Sequence, residues 1–477
     1  MSSKITMRRA TATAVGLVAL CCCLLAGASR VRAQRLDYPT ARAPASWANT
    51  DAALQHHVVY ADGSVARSAL LRLNPAGFGP SFAFGFFCTS QPRTATTPCS
   101  DFLLGVAVVY CNSGALITSV TSGIPQVVWS ANRGRPVPAG AVAELTAEGD
   151  LVLRSAPGGA VVWSAGTKGK SIAGARIGTD GNLVLFDERN QSVWQSFDHP
   201  TDALLIGQSL RHGARLTANT STADSRAGRL YLAVEDAGLN GYVNAKPPQR
   251  YYHLGFDRSP GAYATYTNGG LAVFAQPGGK TSLTNIQLPT VGAGTVQYMR
   301  LEHDGHLRLY EWLSNAQGWA PVFDVLHLFP DDGCAYPTVC GAYGVCTDTQ
   351  CSCPDAANFK PVDFRRPNRG CVPTTMSATS CGSSRRQHRL VSLPGTGYFN
   401  DHATSMRAVE RVSEEACKKA CLDDCACAAA QFFYGTNAGD GFCYLQSEVF
   451  SMQTLQPEVV HYNSTMHIKV QAKSTRP

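Results

Sequence analysis

Charged residues are scarce in this sequence, and helical periodicity is missing. Asp, Glu, Lys and Arg make up 16% of the 477 residues, and no long stretch repeats apolar residues at helical spacing, which argues against a helical bundle. Glycine and proline are plentiful instead, with 44 and 26 residues, and they separate short runs of β-branched and aromatic residues. The composition therefore predicts a mostly β protein, long enough for three or four domains of about 100–200 residues each.

Long apolar runs are confined to the amino terminus. Lys4 and two arginines form a basic start, an apolar stretch follows, and small-x-Ala sequences end before Ser29 and Gln34. This arrangement predicts a signal peptide over residues 1–33, with an uncleaved membrane anchor as the alternative. No later stretch reaches the roughly 20 apolar residues of a membrane span. We therefore expect a secreted, extracellular protein without a membrane span.

Most of the net positive charge lies in that same segment. Residues 1–33 hold five cations and no anion, so the formal net charge falls from +7 to +2 without them. Nothing in the remainder is a concentrated basic patch of the kind that binds nucleic acid. We therefore expect no nucleic-acid partner.

Cysteine is missing from a long middle section, between Cys111 and Cys334. Three cysteines lie before that gap after the signal segment, whereas twelve crowd between Cys334 and Cys443, as expected where disulfides staple small secreted domains. Cys88 and Cys99 bracket a turn-rich loop that a bridge would close. Cys111 ends an apolar run and is predicted to be a buried free thiol, with an intermolecular disulfide as the alternative.

The first six cysteines of that cluster are spaced x5, x5, x4, x and x17. Sequence alone leaves fifteen pairings open for six cysteines. The spacing, with "CGAYGVC" and "CSC", resembles an EGF-like module over residues 332–372. A zinc site is the alternative, but no histidine stands at ligand spacing, and the calcium pattern of such modules is lacking, so we expect no metal and no cofactor. The resemblance implies three bridges, Cys334–Cys346, Cys340–Cys351 and Cys353–Cys371.

The last six cysteines include the run "SEEACKKACLDDCAC". Ser413 followed by two glutamates predicts a helix N-terminus, and Cys417 and Cys421 would then share one helix face. The run resembles a plant-type PAN/apple domain over residues 381–470. This resemblance implies the bridges Cys417–Cys443 and Cys421–Cys427, and it leaves Cys381 and Cys425 to pair by exclusion.

Two similar units recur 32 residues apart, starting at Ala143 and Ala175. Each unit reads apolar, acidic residue-Gly-Asp/Asn, Leu-Val-Leu, polar turn and Val-Trp, which predicts two short strands joined by a tight turn. A related hairpin, "MRLEHDGHLRLYEW", follows later. Repeated hairpins predict a symmetric all-β body, and Trp129, Trp163 and Trp194 should point inward and fill a shared core.

The words "VVWSANRGRPV", "DGNLVLF" and "VWQSFDHPTDALL" resemble the bulb-type, mannose-binding lectin domain. More closely, the chain resembles the ectodomain of plant G-type lectin S-domain receptor-like kinases and S-locus glycoproteins. The resemblance implies tandem β-prism domains followed by the disulfide-rich EGF-like and PAN/apple modules. The expected layout is a bulb-type lectin domain over 46–200, then an S-locus glycoprotein-like, second prism-like region over 201–331.

The family's sugar motif, Gln-x-Asp-x-Asn-x-Val-x-Tyr, is only partly kept. Alternate strand residues face one side, so Asp and Asn would bond sugar hydroxyls while Val covers the ring carbons. The best copy begins at Gly178, in the position of Gln, and continues with the candidate carbohydrate-binding residues Asp180, Asn182, Val184 and Phe186. The other copies, at Thr146 to Arg154 and at Glu302 to Tyr310, are more degenerate. The alternative is that "DGNLVL" is kept only as hairpin geometry.

The expected function is recognition rather than catalysis. No kinase motif occurs, and Ser196, Asp198 and His199 lie in a turn whose spacing does not support a catalytic triad. We expect a mannose-type glycan or a protein or peptide ligand, with receptor-like kinases as candidate partners and the apoplast as location. The alternative is a protein-binding module, a decoy or co-receptor, with a non-functional mannose site. N-glycosylation is predicted at the sequons of Asn190, Asn219 and Asn463.

Overall fold

The computed structural model describes residues 36–472 except 55, 90–98, 120–124, 277, 280, 293, 315–317, 327–332, 375–387, 400–407, 457 and 459–461. The predicted signal peptide and Cys381 lie outside the described residues. Residues 39–477 form one compact unit, and the description below concerns the described residues of that unit.

The first body is an all-antiparallel assembly of short strands. Its five-stranded sheet has the order β3-β4-β5-β6-β7, and its two four-stranded sheets have the orders β10-β9-β8-β2 and β1-β11-β12-β13. The strands described are β1 Thr40–Arg42, β2 Ala45–Ala48, β3 His56–Val59, β4 Val65–Arg72, β5 Gly79–Cys88, β6 Leu103–Cys111, β7 Gln126–Ser130, β8 Val142–Leu145, β9 Leu151–Arg154, β10 Val161–Ser164, β11 Ile172–Ile177, β12 Leu183–Asp187 and β13 Ser192–Gln195.

The second body repeats the arrangement with three four-stranded sheets. Their orders are β14-β23-β24-β25, β15-β20-β21-β22 and β16-β17-β18-β19. The strands described are β14 Ala203–Leu205, β15 Ser209–Leu210, β16 Arg215–Ser221, β17 Asp224–Glu235, β18 Gly238–Val243, β19 Gln249–Gly255, β20 Tyr263–Thr267, β21 Gly270–Phe274, β22 Thr284–Gln287, β23 Gln297–Leu301, β24 Leu307–Leu313 and β25 Gly318–Asp324.

The cysteine-rich region holds the one α-helix of the described residues, α1 Glu414–Asp423. Two 3-10 turns, Ser196–Asp198 and Pro367–Arg369, complete the short helical segments described. The remaining strands are β26 Val345–Thr347, β27 Gln350–Ser352, β28 Phe359–Pro361, β29 Cys371–Pro373, β30 His388–Pro394, β31 Thr396–Tyr398, β32 Ala408–Val412, β33 Ala429–Tyr434, β34 Gly441–Gln446, β35 Met452–Thr454 and β36 Asn463–Gln471.

The tryptophan prediction is confirmed in the core of the first body. Trp129 and Trp194 are buried and Trp163 packs against the same cluster. The three rings meet edge to face, with centroids 5.7–6.1 Å apart. They join β7, β10 and β13, so one aromatic cluster holds all three sheets together.

The helix begins as its sequence predicts. The Ser413 hydroxyl accepts the Ala416 amide hydrogen at 3.3 Å, which satisfies one of the free amides of the first turn. Cys417 and Cys421 are the buried residues of α1. Bridges from this one face tie the helix to β34 and to the turn before β33.

Disulfides link neighbouring parts of the chain throughout. Cys425 is also disulfide-bonded, and Cys111 is a buried free thiol whose pKa burial raises to about 12. The bridges described are Cys88–Cys99, Cys334–Cys346, Cys340–Cys351, Cys353–Cys371, Cys417–Cys443 and Cys421–Cys427.

The two cysteine-rich segments, residues 332–372 and 381–470, share a sheet. Strand β26, from residues 332–372, pairs in parallel with β35, with Val345 opposite Met452. The sheet order is β27-β26-β35-β31. One apolar core also contains side chains of the second body, such as Tyr251, together with Phe359 and Phe450. The two segments therefore fold against each other and onto the second body.

Candidate carbohydrate-binding hairpins

Three hairpins carry the degenerate sugar motif, and all three turn in the same way. Each turn has a glycine in the left-handed region: Gly149 at φ 81°, Gly181 at φ 82° and Gly305 at φ 100°. In the β11–β12 hairpin, the Gly178 amide donates to the Asn182 carbonyl at 2.9 Å, and the other two hairpins repeat this bond. The acidic residue-Gly pair therefore makes the turn in every copy.

Asp180 and Asn182 are both used to shape their own hairpin. The Asp180 carboxylate accepts the Asn182 amide hydrogen at 3.0 Å, and it fills the space that a Cβ at Gly178 would need, 2.2 Å away. Asn182 is buried; its Nδ2 donates to Gln195 Oε1 at 2.9 Å. Its Oδ1 accepts the Ser196 hydroxyl at 3.2 Å. The side-chain amide of Asn182 is thereby bonded to β13 and to the turn that follows it.

Val184 and Phe186 are also buried. The Phe186 ring lies across Gly174, where a Cβ would meet its Cζ at 2.6 Å. The guanidinium groups of Arg176 and Arg42 lie 5.0 and 5.6 Å from the ring centre, within cation–π range. Arginine side chains thus lie over the Phe186 ring, which stands in the Tyr position of the motif.

The other two hairpins also use the position of Asn182 for internal bonds. In the β8–β9 hairpin this residue is Asp150, which accepts the Ser164 hydroxyl at 2.6 Å and the Thr167 amide hydrogen at 3.0 Å. In the β23–β24 hairpin it is His306, whose Nδ1 bonds the Asp324 carboxylate. The His306 ring also stacks on Tyr336, with centroids 3.6 Å apart. In each copy a polar side chain ties the hairpin to the segment after it.

Replacing Asn182 with alanine should therefore lower stability. The change leaves the buried Ser196 hydroxyl without its acceptor and the Gln195 Oε1 without its donor, and we expect the free energy of unfolding to fall by about 1–3 kcal/mol. Asp180→Ala removes one part-buried turn bond of an exposed side chain and should cost less. Thermal unfolding with disulfides intact measures both. Equal, negligible losses for the two variants would contradict the structural role of Asn182.

The residues of the His-Pro turn do not assemble a catalytic triad. The Ser196 hydroxyl is bonded to Asn182, and Asp198 accepts from Gln195 and pairs with Arg211 at 2.8 Å. The His199 ring stacks on Trp194, with centroids 5.2 Å apart. Among the described residues, no three His, Cys, Asp or Glu side chains are grouped so that they could hold a metal ion.

The three sequons differ in their surroundings. Asn190 and Asn463 are exposed, and Asn190 sits at a turn with φ 61°. Asn219 is half-buried: its Nδ2 donates to Asp202 at 3.1 Å, and its Oδ1 accepts from Arg133 at 2.8 Å.

A polar cavity of about 250 Å³ lies where the two bodies meet, and sequence reasoning missed it. Asp202, Asn219 and Arg300 line it together with Gln126 at the start of β7. The Asp202 carboxylate and the Arg300 Nε are 3.2 Å apart, and both side chains are largely buried. The sequence feature that could have indicated this cavity is Arg133 in "VVWSANRGRPV". Its guanidinium binds Asn219, which in turn bonds Asp202 of the ion pair.

The repeated three-sheet β architecture and the disulfide-rich C-terminal region define a mostly β protein. The family described as D-mannose binding lectin matches residues 126–226. The family described as S-locus glycoprotein domain matches residues 279–362. The resemblance to bulb-type lectin S-domain proteins is thereby confirmed.

Curated relatives include both receptor kinases and glycoproteins. A G-type lectin S-receptor-like serine/threonine-protein kinase of Arabidopsis thaliana is 27% identical over 75% of this chain and 40% of its own length. EP1-like glycoprotein 1 of Arabidopsis thaliana is 27% identical over 64% of this chain and 73% of its length. The epidermis-specific secreted glycoprotein EP1 of Daucus carota is 29% identical over 55% of this chain and 75% of its own length.

The chain spans about two fifths of the length of the S-receptor-like kinases that it matches. No described helix has the length and hydropathy of a membrane span. A two-domain, fetuin-binding lectin of Scilla campanulata is 17% identical, covering 44% of this chain and 85% of that one with a TM-score of 0.20, too low to support an argument.

Proposed function

We propose that this chain is an extracellular recognition glycoprotein that uses its lectin-type bodies as a scaffold and binds a protein ligand. The observation that best supports this proposal is that motif side chains of all three hairpins are hydrogen-bonded within the chain. Asn182, Asp150 and His306 occupy the same motif position, and each is bonded to its own chain. A sugar would have to displace these bonds, and leaving the buried partners unpaired costs about 1–3 kcal/mol per group.

A mannose-type lectin is the second candidate. The match to D-mannose binding lectins supports it, as does the retention of Asp180, Asn182 and Val184 in their motif positions. Asp180 is exposed and makes one described hydrogen bond, so a carboxylate oxygen remains to accept from a sugar hydroxyl.

The proposed organisation follows the same resemblance. Residues 46–200 and 201–331 would be tandem β-prism domains, and residues 332–372 and 381–470 would be the EGF-like and PAN/apple modules. Secretion to the apoplast is supported by the similarity to the secreted glycoprotein EP1 of Daucus carota. Receptor-like kinases are proposed partners because the chain is similar to part of such a kinase.

A glycan-array screen of the full chain, recovered from the medium of expressing cells, tests the choice of ligand class. We expect a blank array from folded protein, because the motif side chains bond within the chain. Asp180→Ala is the matched control: mannose-type signals lost in this variant would establish the lectin instead. Signals that survive Asp180→Ala would place sugar binding elsewhere, and they would equally contradict a protein ligand. Near-ultraviolet circular dichroism verifies that each sample is folded.

A further inference from the structure

The loop between β28 and β29 exposes an aromatic side chain. Phe364 is 89% exposed, the largest exposed fraction among the large apolar side chains described. Val362, two residues earlier, is 53% exposed. A single exposed apolar residue is ordinary on a protein surface, so the neighbours of Phe364 decide whether this loop is a binding site.

Those neighbours are strongly basic. Residues 359–373 contain Lys360, Arg365, Arg366 and Arg369 against one acid, Asp363, a net charge of +3. The whole chain after residue 33 carries only +2. Within the described part of the chain, Arg366 lies 3.9 Å from Asp363, and the guanidinium groups of Arg365 and Arg369 form no ion pair.

The loop is held in one shape by its own backbone. Asp363 accepts the Arg365 amide hydrogen at 2.9 Å, and the Val362 amide donates to the Gly370 carbonyl at 2.9 Å. Gly370 has φ 90°, and a Cβ there would meet the Ala342 carbonyl oxygen at 2.6 Å. The Cys353–Cys371 bridge closes the base. The side chains are therefore presented on a fixed support, which reduces the entropy that binding must overcome.

We propose that this basic tip, formed by Val362, Phe364, Arg365, Arg366 and Arg369, docks an acidic segment of a partner protein. Guanidinium groups bind carboxylates with two parallel hydrogen bonds. Aromatic and arginine side chains are also the residues that dominate protein–protein binding energy. Phe364 would enter an apolar pocket of the partner, while the arginines pair with acids around it. The proposal rests on the proposed function, that the ligand is a protein, and it names the surface and the partner chemistry.

Selection from a random displayed-peptide library on the immobilised full chain tests the proposal. We expect enriched peptides that combine Asp or Glu with an apolar residue. Their affinity should fall about tenfold or more with Phe364→Ala and with the pair Arg365→Glu and Arg366→Glu, a loss typical of residues at the centre of an interface. Phe78→Ala, at 54% exposure, and Arg189→Glu, at an exposed turn, are matched controls that should leave affinity unchanged.

Several results would overturn the proposal. They are an empty selection, peptides without acidic residues, and peptides that bind the tip variants as well as the original chain. Tip-dependent binding to polygalacturonate or to phosphatidylserine vesicles, without any acidic peptide, would assign the tip to another partner class. Selected peptides that bind away from the tip would refute this surface and leave the protein-ligand function standing, whereas a positive glycan array would refute that function independently.

Discussion

Arg133→Ala should destabilise the protein by about 3–5 kcal/mol, because it removes several hydrogen bonds to a charged group, each worth about 1.5–3 kcal/mol. Arg133 follows β7 of the first body, and its guanidinium donates into the second body. It bonds the carbonyls of Thr217, Ala218 and Ser225 at 2.9–3.1 Å and Asn219 Oδ1 at 2.8 Å. Burial lowers the pKa of this guanidinium, but arginine stays charged in proteins. Alanine would leave all four acceptors without this donor.

Chemical unfolding of the disulfide-intact chain measures this loss. Arg135→Ala is the matched control, since Arg135 lies two residues further on, is exposed, and donates to the Val162 carbonyl within the first body. It should change stability by about 1 kcal/mol or less. Similar curves for the two variants would show that Arg133 does not join the bodies. A separate, earlier transition confined to one body would identify their junction as the part that opens.

Trp129→Ala should cost about 3–5 kcal/mol, the range for truncating a buried aromatic residue to alanine. Its ring contacts Trp163 and Trp194 at centroid distances of 5.9 and 5.7 Å. Its Nε1 donates to the His199 carbonyl at 2.9 Å. The substitution removes the member of the cluster that belongs to the five-stranded sheet and leaves a cavity between the three sheets.

Calorimetric unfolding is the appropriate measurement, because the substitution also removes a fluorophore. Trp129→Phe should lose less than Trp129→Ala, since a phenyl ring keeps part of the contact with both neighbours but not the hydrogen bond. Phe78→Ala, on an exposed loop, should change stability little. A loss below about 1 kcal/mol for Trp129→Ala would contradict a shared aromatic core.

Local patterns carried the prediction of the hairpins and the helix. Glycine at 149, 181 and 305 adopts the left-handed conformation of each hairpin turn without steric strain. The tryptophan spacing also predicts the aromatic core correctly. Ser413 starts α1 because its hydroxyl satisfies an amide three residues away. These features depend on residues close together in the chain, so a single sequence contains the whole reason for them.

The hydrogen-bond partners of the candidate sugar-binding residues could not be predicted in the same way. The motif pattern marks Asp180 and Asn182, but whether Asn182 is free depends on Gln195 and Ser196, 13 and 14 residues later. Those partners reach it only because β13 pairs alongside β12, and the pattern of alternate residues carries no information about which donor or acceptor arrives. The same holds for Asp150 and the Thr167 amide, 17 residues apart.

By itself, the sequence determined the mostly β class, the tight turns, the helix start and the inward tryptophans, because period, turn chemistry and capping act over a few residues. Only the tertiary structure decided that Arg133 links the bodies across 84 to 92 residues and that Val345 lies beside Met452 in one sheet. Backbone carbonyls and strand edges are chemically alike along the whole chain, so the sequence does not mark which of them will become hydrogen-bond partners. Packing alone therefore selects which distant ones meet.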